Sequence, residues 1–150
     1  MTENDRIEDA SEDERPPDNG DYNLSGLVRL ANAGGVSLGV TLLVGGAVVS
    51  GLLVGAAEFF EGLADYLDRE AGEDAQAFTH GYRSFAKEFR DEIGSDFDQA
   101  VDAPYVVTYI HLRDAHVFAP GGGYLPSNAG LFWRGRLESV DGWSIGTLGT

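Results

Sequence analysis

Cysteine is absent from the 150-residue chain, which excludes disulfide scaffolds, thiolate metal sites and cysteine nucleophiles. Lysine is almost absent: Lys87 is the only one, and 10 bases stand against 25 acids for a formal charge of −15. The field of such a chain repels phosphate, so nucleic acid is not an expected partner. Acid excess with so little lysine suits a cytoplasm of very high salt, where carboxylates keep the surface hydrated and the Debye length falls to about 3 Å at 1 M. A halophilic source is the expectation. The N-terminus also lacks the basic-then-apolar order of a secretory signal, which leaves the cytoplasm as the default location.

Catalytic patterns are missing as well. No G-x-S-x-G occurs, and the glycines at 121–123 lack the lysine and the following helix start of a phosphate-binding loop, so they read as a hairpin loop. Ser37, Thr41 and Ser50 lie in apolar strands with no histidine near in sequence. Of the three histidines, His80, His111 and His116, the last two are five apart; on a strand they face opposite sides and cannot share a metal without a bend. His111 therefore reads as a strand residue with a polar partner. The acid pairs Asp91-Glu92 and Asp96-Asp98 sit at a solvated helix end. No enzyme activity, cofactor or metal is expected.

What is present is organised around Val36 to Val54. Val36, Leu38, Val40, Leu42 and Val44 alternate with Ser37, Gly39 and Thr41, the period of a strand with one face in a core, and only Leu43 breaks it. Gly45-Gly46 between β-branched runs predicts a two-residue turn, since a type I′ turn needs positive φ at both central residues. The return strand, Ala47 to Val54, is apolar on both faces and is expected to be central. The competing reading is a transmembrane helix, because no charge occurs from Leu30 to Ala57 and about 20 apolar residues span a bilayer. Five glycines within 36–57 and the strand alternation oppose it.

Residues 1–22 hold nine acids, two arginines and Pro16-Pro17 with few large apolar side chains, and read as a disordered acidic tail. Leu24, Leu27, Val28 and Ala31 share a face of a short helix over 24–33, with Asn23 as its N-cap and Gly34-Gly35 as its end. After the hairpin the period becomes helical: Phe59, Phe60, Leu63, Tyr66 and Leu67, then Phe78, Tyr82, Phe85, Phe89 and Ile93. This aromatic stripe is expected to lie on the sheet, or else to form a partner groove or self-association seam; residues 70–74 divide it into two helices and Gly94 ends the second. Strands are predicted over 105–112 and 131–140, then a tight turn at Asp141-Gly142 and a last strand over 143–148.

Two resemblances follow. Gly46, Val49, Gly51 and Leu53, then Leu112–Ala115 (LRDA), then WRGRLESV at 133–140 resemble the two-part pattern of Sm-like domains, which implies a five-strand barrel behind an N-terminal helix, with Arg134-Gly135 in the short fourth strand. Ala57 and Glu61 stand where that family carries the aspartate and asparagine of its RNA pocket, and about 40 residues of helix interrupt the pattern, so RNA binding is not carried over. The second resemblance is broader. GVTLLVGGAVVSGLLVGAAEFFEG at 39–62, YIHLRDAHVF at 109–118 and LPSNAGLFWRGRLESVDGWSIG at 125–146 are similar to gas vesicle accessory proteins of the GvpU type. That likeness implies a cytoplasmic, non-enzymatic protein associated with gas vesicles, acting on their assembly or their clustering.

The expected fold is α+β: a single domain over 23–150 with a small bent antiparallel sheet or open barrel of Sm-like flavour, an N-terminal helix and a two-helix insert at about 57–100. The expected partners are gas vesicle shell or accessory proteins, with self-association as a further option, and no nucleic acid and no membrane. An Sm-like RNA-binding or oligomeric scaffold, and a membrane-associated protein through 30–57, are the alternatives. The candidate partner-binding residues are Phe118, Tyr124, Phe132, Trp133, Arg134, Arg136 and Trp143, because aromatic rings and arginine dominate binding hot spots. A tryptophan packed in the core would be explained without a partner, and Arg134 and Arg136, sharing a strand face, suit an acidic region such as the chain's own tail.

Overall fold

The computed structural model describes residues 17–34 and 37–148. The first sixteen residues of the expected acidic tail lie outside these. The remainder of that stretch takes part in the fold, because Asp18 and Asp21 both bind the first helix or its neighbours.

Helix α1 spans Tyr22–Asn32 and strands β1 and β2 span Leu38–Val44 and Ala47–Val54. Asp21, rather than Asn23, is the N-cap: its carboxylate accepts from the Leu24 amide at 2.8 Å, and this starts the helix two residues earlier than expected. The hairpin forms as predicted, with Gly45 and Gly46 at φ 57° and 86°. Residues 30–57 are thus a helix end, a hairpin and a second helix start. No helix among the described residues is long and apolar enough to cross a membrane, and the stretch read as a transmembrane helix is two strands.

Helix α2 (Ala56–Ala71), a 3-10 turn (Gly72–Ala75) and helix α3 (Gln76–Ile93) form the insert, followed by the short α4 (Phe97–Val101). Strand β3 spans Tyr109–Phe118, β4 Tyr124–Leu125, β5 Leu131–Arg136 and β6 Val140–Ile145. The antiparallel sheet is open, in the order β4-β3-β2-β1-β6, with β5 beside β4 on the same edge of β3. As expected, β2 is internal.

Three strand expectations are corrected. Residues 105–108 are not strand; Arg29 and Asp18 take the backbone groups of Tyr105 and Val107 before the ladder begins. β3 instead runs on through Arg113-Asp114-Ala115, because Asp114 adopts φ 53° and forms a bulge, where the registers with both β2 and β5 shift. Glycines flank this kink: a Cβ on Gly51 would lie 2.9 Å from Ala115 Cα, and one on Gly130 2.3 Å from the Asp114 carbonyl carbon. Asp141-Gly142 is no turn. The chain reverses in a 3-10 turn at Leu137–Ser139, so β5 and β6 part to opposite edges of the sheet and Asp141 lies within β6. The strands number six rather than about five.

One face of the sheet holds the core. Val40, Leu42, Val49, Leu53, Ile110, Leu112 and Ala115 pack against Leu24, Val28 and Ala31 of α1, with Leu137 closing one side. Gly55 lets the end of α1 lie close, since a Cβ there would stand 2.6 Å from the Ala31 carbonyl oxygen, and burying one valine or leucine side chain contributes about 1.5–3 kcal/mol. The opposite face meets α2, where Phe59 contacts His111 and Phe132, and the segment after β6, where Thr41 donates to the Gly146 carbonyl and Ser50 accepts from the Leu148 amide. α3 packs chiefly on α2, with Tyr82 and Phe85 against Phe60, while Ile93 at its end joins Ala100 and Ala103 in a second small cluster. The stripe is therefore only partly covered, and Tyr66, Phe78 and Phe85 stay exposed.

Candidate functional site

The two tryptophans come from strands at opposite ends of the sheet, yet share its core face. Trp133 pairs with Leu112 and Trp143 with Leu42, and both rings pack half-buried against the hydrophobic core. In antiparallel ladders directly opposed residues project to the same side, so burial of Leu42 and Leu112 carries the indoles inward. Gly135 follows from this placement, since a Cβ there would stand 2.3 Å from the Trp133 ring. The Arg134-Gly135 pair thus has a packing cause.

Phe132 and Arg134 point to the other face, two residues apart on β5. Phe132 meets Phe59 at 5.7 Å and Tyr66 at 6.0 Å between ring centres. The Arg134 guanidinium lies 3.5 Å over the Tyr109 ring and 5.6 Å from that of Phe60, and its Nε donates to His111 Nε2 at 3.1 Å. His111 is only 4% exposed. Burial, and then the adjacent Arg134 charge, push its pKa down to about 3. The imidazole is neutral, with Nε2 as acceptor, and the expected polar partner is Arg134.

Phe118 and Tyr124 form the third group, paired across the β3–β4 hairpin with ring centres 5.3 Å apart, and His116 meets Tyr124 edge-on at 5.2 Å. Arg136, exposed at the end of β5, has Glu138 at 3.6 Å. The sequence-predicted residues therefore fall into a core pair, a pair beneath α2, a hairpin tip and an isolated arginine. Phe132, Arg134 and Arg136 share the outer side of β5, whereas the tryptophans do not belong to it.

Sequence reasoning missed Leu125 and Leu131, exposed by 70% and 44% on neighbouring β4 and β5. It also passed over Arg29. This buried guanidinium forms a bidentate pair with Asp18 at 2.7 and 3.0 Å, donates to the carbonyls of Val101, Ala103 and Tyr105, and lies 4.5 Å over the Tyr105 ring. Burial alone would raise the Asp18 pKa, but the bonds from Arg29 and the Val107 amide outweigh it and hold the carboxyl below its ordinary value. An arginine on the apolar face of α1 was the available signal, because a charge there requires buried partners.

Both titrating groups with displaced pKa values and low exposure, Asp18 and His111, are thus engaged in bonds that tie elements together. Among the described residues no group of three His, Asp or Glu side chains is placed to hold a metal ion. The geometry offers surfaces for contact: the β4–β5 edge of the sheet, and the uncovered aromatic flank of α3.

The family model described as gas vesicle protein GvpU-like matches residues 21–148. No curated protein and no solved structure matches the chain.

Proposed function

The chain belongs to the gas vesicle protein GvpU-like family, and from that premise we propose that it is a non-enzymatic accessory protein that binds gas vesicle shell or accessory proteins during vesicle assembly or clustering. The observation that carries the reading is the β4–β5 edge of the sheet. Leu125 and Leu131, opposite Val117 and Ala115, are exposed on its core side, while the Phe118–Tyr124 pair, the half-buried Phe132 and the exposed Arg134 and Arg136 lie on its outer side. Exposed apolar side chains among aromatic rings and arginine have the composition of a binding surface. Trp133 packs on the core beneath that edge, whereas Trp143 packs on it from β6 at the other end of the sheet. The proposed location is the cytoplasm, on or between vesicles.

A flotation experiment tests this. Purified protein is mixed with intact isolated gas vesicles in molar salt, and the buoyant layer is assayed. The protein is expected to float, to float equally well without residues 1–16, and to lose about tenfold of its binding when Leu125 and Leu131 are both changed to aspartate. Wild-type protein remaining in the infranatant overturns the reading.

One observation favours a second reading, an oligomeric scaffold of Sm-like kind: β5 and β6, at opposite edges of an open sheet, each pair with one strand only among the described residues. Sedimentation equilibrium decides it, a monomer at all concentrations excluding the scaffold.

A further inference from the structure

The aromatic flank of α3 is a surface separate from the β4–β5 side. Phe78 is 63% and Phe85 43% exposed, and Phe85 lies parallel to Phe89 with ring centres 6.2 Å apart. Phe78, Phe85 and Phe89 recur at steps of seven and four, so the three rings form one row along about three turns. Phe85, Phe89, Glu88, Asp91 and Glu92 together line a shallow depression on this helix. Asp91 is paired with Lys87 at 2.9 Å, while Glu88 and Glu92 have no ion-pair partner among the described residues. The basic residues Arg83 and Arg90 turn the other way, to Asp65, Asp68 and Glu61 of α2. The row of rings is therefore bordered on its free side by unpaired carboxylates.

This border selects the occupant. The segment 1–16 carries seven acids against two arginines and almost no apolar side chain, so it has nothing to offer an apolar row and is repelled by the rim. A second copy brings a charge of −15 and the same acidic rim against this one. We propose that the row takes an amphipathic helix of another protein, whose apolar face covers Phe78, Phe85 and Phe89 and whose lysine or arginine side chains pair with Glu88 and Glu92. Apolar anchors at i, i+3, i+4 and i+7 of the partner match a row of this length. The proposal rests on the reading of the chain as a protein-binding module but does not require vesicles as the target.

The test uses the full chain and two labelled synthetic helices, a leucine–lysine heptad peptide and its leucine–glutamate counterpart, followed by fluorescence anisotropy at about 0.15 M salt. The lysine peptide is expected to bind and the glutamate peptide not to. Phe78→Ser, at a site too exposed to disturb folding, is expected to weaken binding about tenfold at unchanged charge. The pair Glu88→Gln and Glu92→Gln is expected to weaken it and to flatten its salt dependence. Asp114→Asn with Glu138→Gln, which removes as much charge from the sheet side, is expected to leave it unchanged. Equal loss in that control, or no effect of Phe78→Ser, overturns the proposal in favour of unspecific attraction to an acidic protein. A dimer that strengthens with salt and is broken by Phe78→Ser overturns it in favour of a second copy. Vesicle flotation that fails while the peptide still binds at this row rejects the vesicle target and leaves the groove standing.

Discussion

Two buried polar side chains, Arg29 and His111, tie elements together, Arg29 where no ladder joins them and His111 across the β3–β5 ladder. Arg29 ties α1 to Asp18 on one side and to the carbonyls leading into β3 on the other. Removing one member of a buried pair strands the other, so Arg29→Met is expected to lower stability by about 3–5 kcal/mol in urea unfolding. His111 sets a different dependence. Its folded pKa of about 3 lies below the ordinary 6.5, so between these values the unfolded chain takes up a proton that the folded chain refuses. The stability it contributes is complete above 6.5 and is lost as pH falls towards 3, by about 1.4 kcal/mol per unit. His111→Gln keeps an acceptor for Arg134 and is expected to remove that slope between pH 6 and 4. An unchanged slope would assign the acid loss to carboxylates such as Asp18.

At the scale of elements, the insert is fastened at its start. Asn32, at the end of α1, accepts from the Ala56 amide at 2.8 Å and donates to the Tyr105 hydroxyl at 2.9 Å. It thereby caps α2, whose own N-cap position is Gly55 and supplies no side chain. Asn32→Ala is expected to cost about 1–2 kcal/mol and to speed amide exchange at residues 56–59, while Asn32→Asp recovers most of the cap. The rest of the insert leans on itself. Its ion pairs, Arg83 with Asp65 and Asp68 and Arg90 with Glu61, are exposed and weakened by salt, so apolar contact of α2 with α3, Phe60 against Tyr82 and Phe85, does most of the holding. The periodicity of the stripe predicted two helices and their break correctly. It did not reveal that α3 would sit on α2, because a repeated phenylalanine looks the same whether it faces a sheet, a helix or water.

For the whole molecule the governing quantity is a charge of −15 on 150 residues. Self-repulsion opposes the compact state, and salt screens it. The urea midpoint is expected to rise between 0.1 and 2 M potassium chloride; a flat or falling midpoint would mean that the native carboxylates are spaced widely enough not to repel. The same screening weakens any contact made through Glu88 and Glu92, so high salt favours the fold and the apolar contacts over the charged ones.

Local chemistry determined the hairpin, its Gly45-Gly46 turn, the helix pair and the alternation that places Val40 and Leu42 inside, because each depends on neighbours within a few residues. The β-rich motifs at 39–62, 109–118 and 125–146 pointed to the GvpU-like family, which the match over 21–148 bears out. Only the tertiary structure decided that Asp141-Gly142 lies in a strand, since a turn signal yields when β6 gains a ladder with β1 about a hundred residues away. It also decided that both tryptophans take the core face, and that Leu131, on the same face as Trp133, stays exposed at the sheet edge. Which side a strand residue takes follows from the face its partner strand has already buried, and that register is set by pairing across the chain rather than by the residue itself.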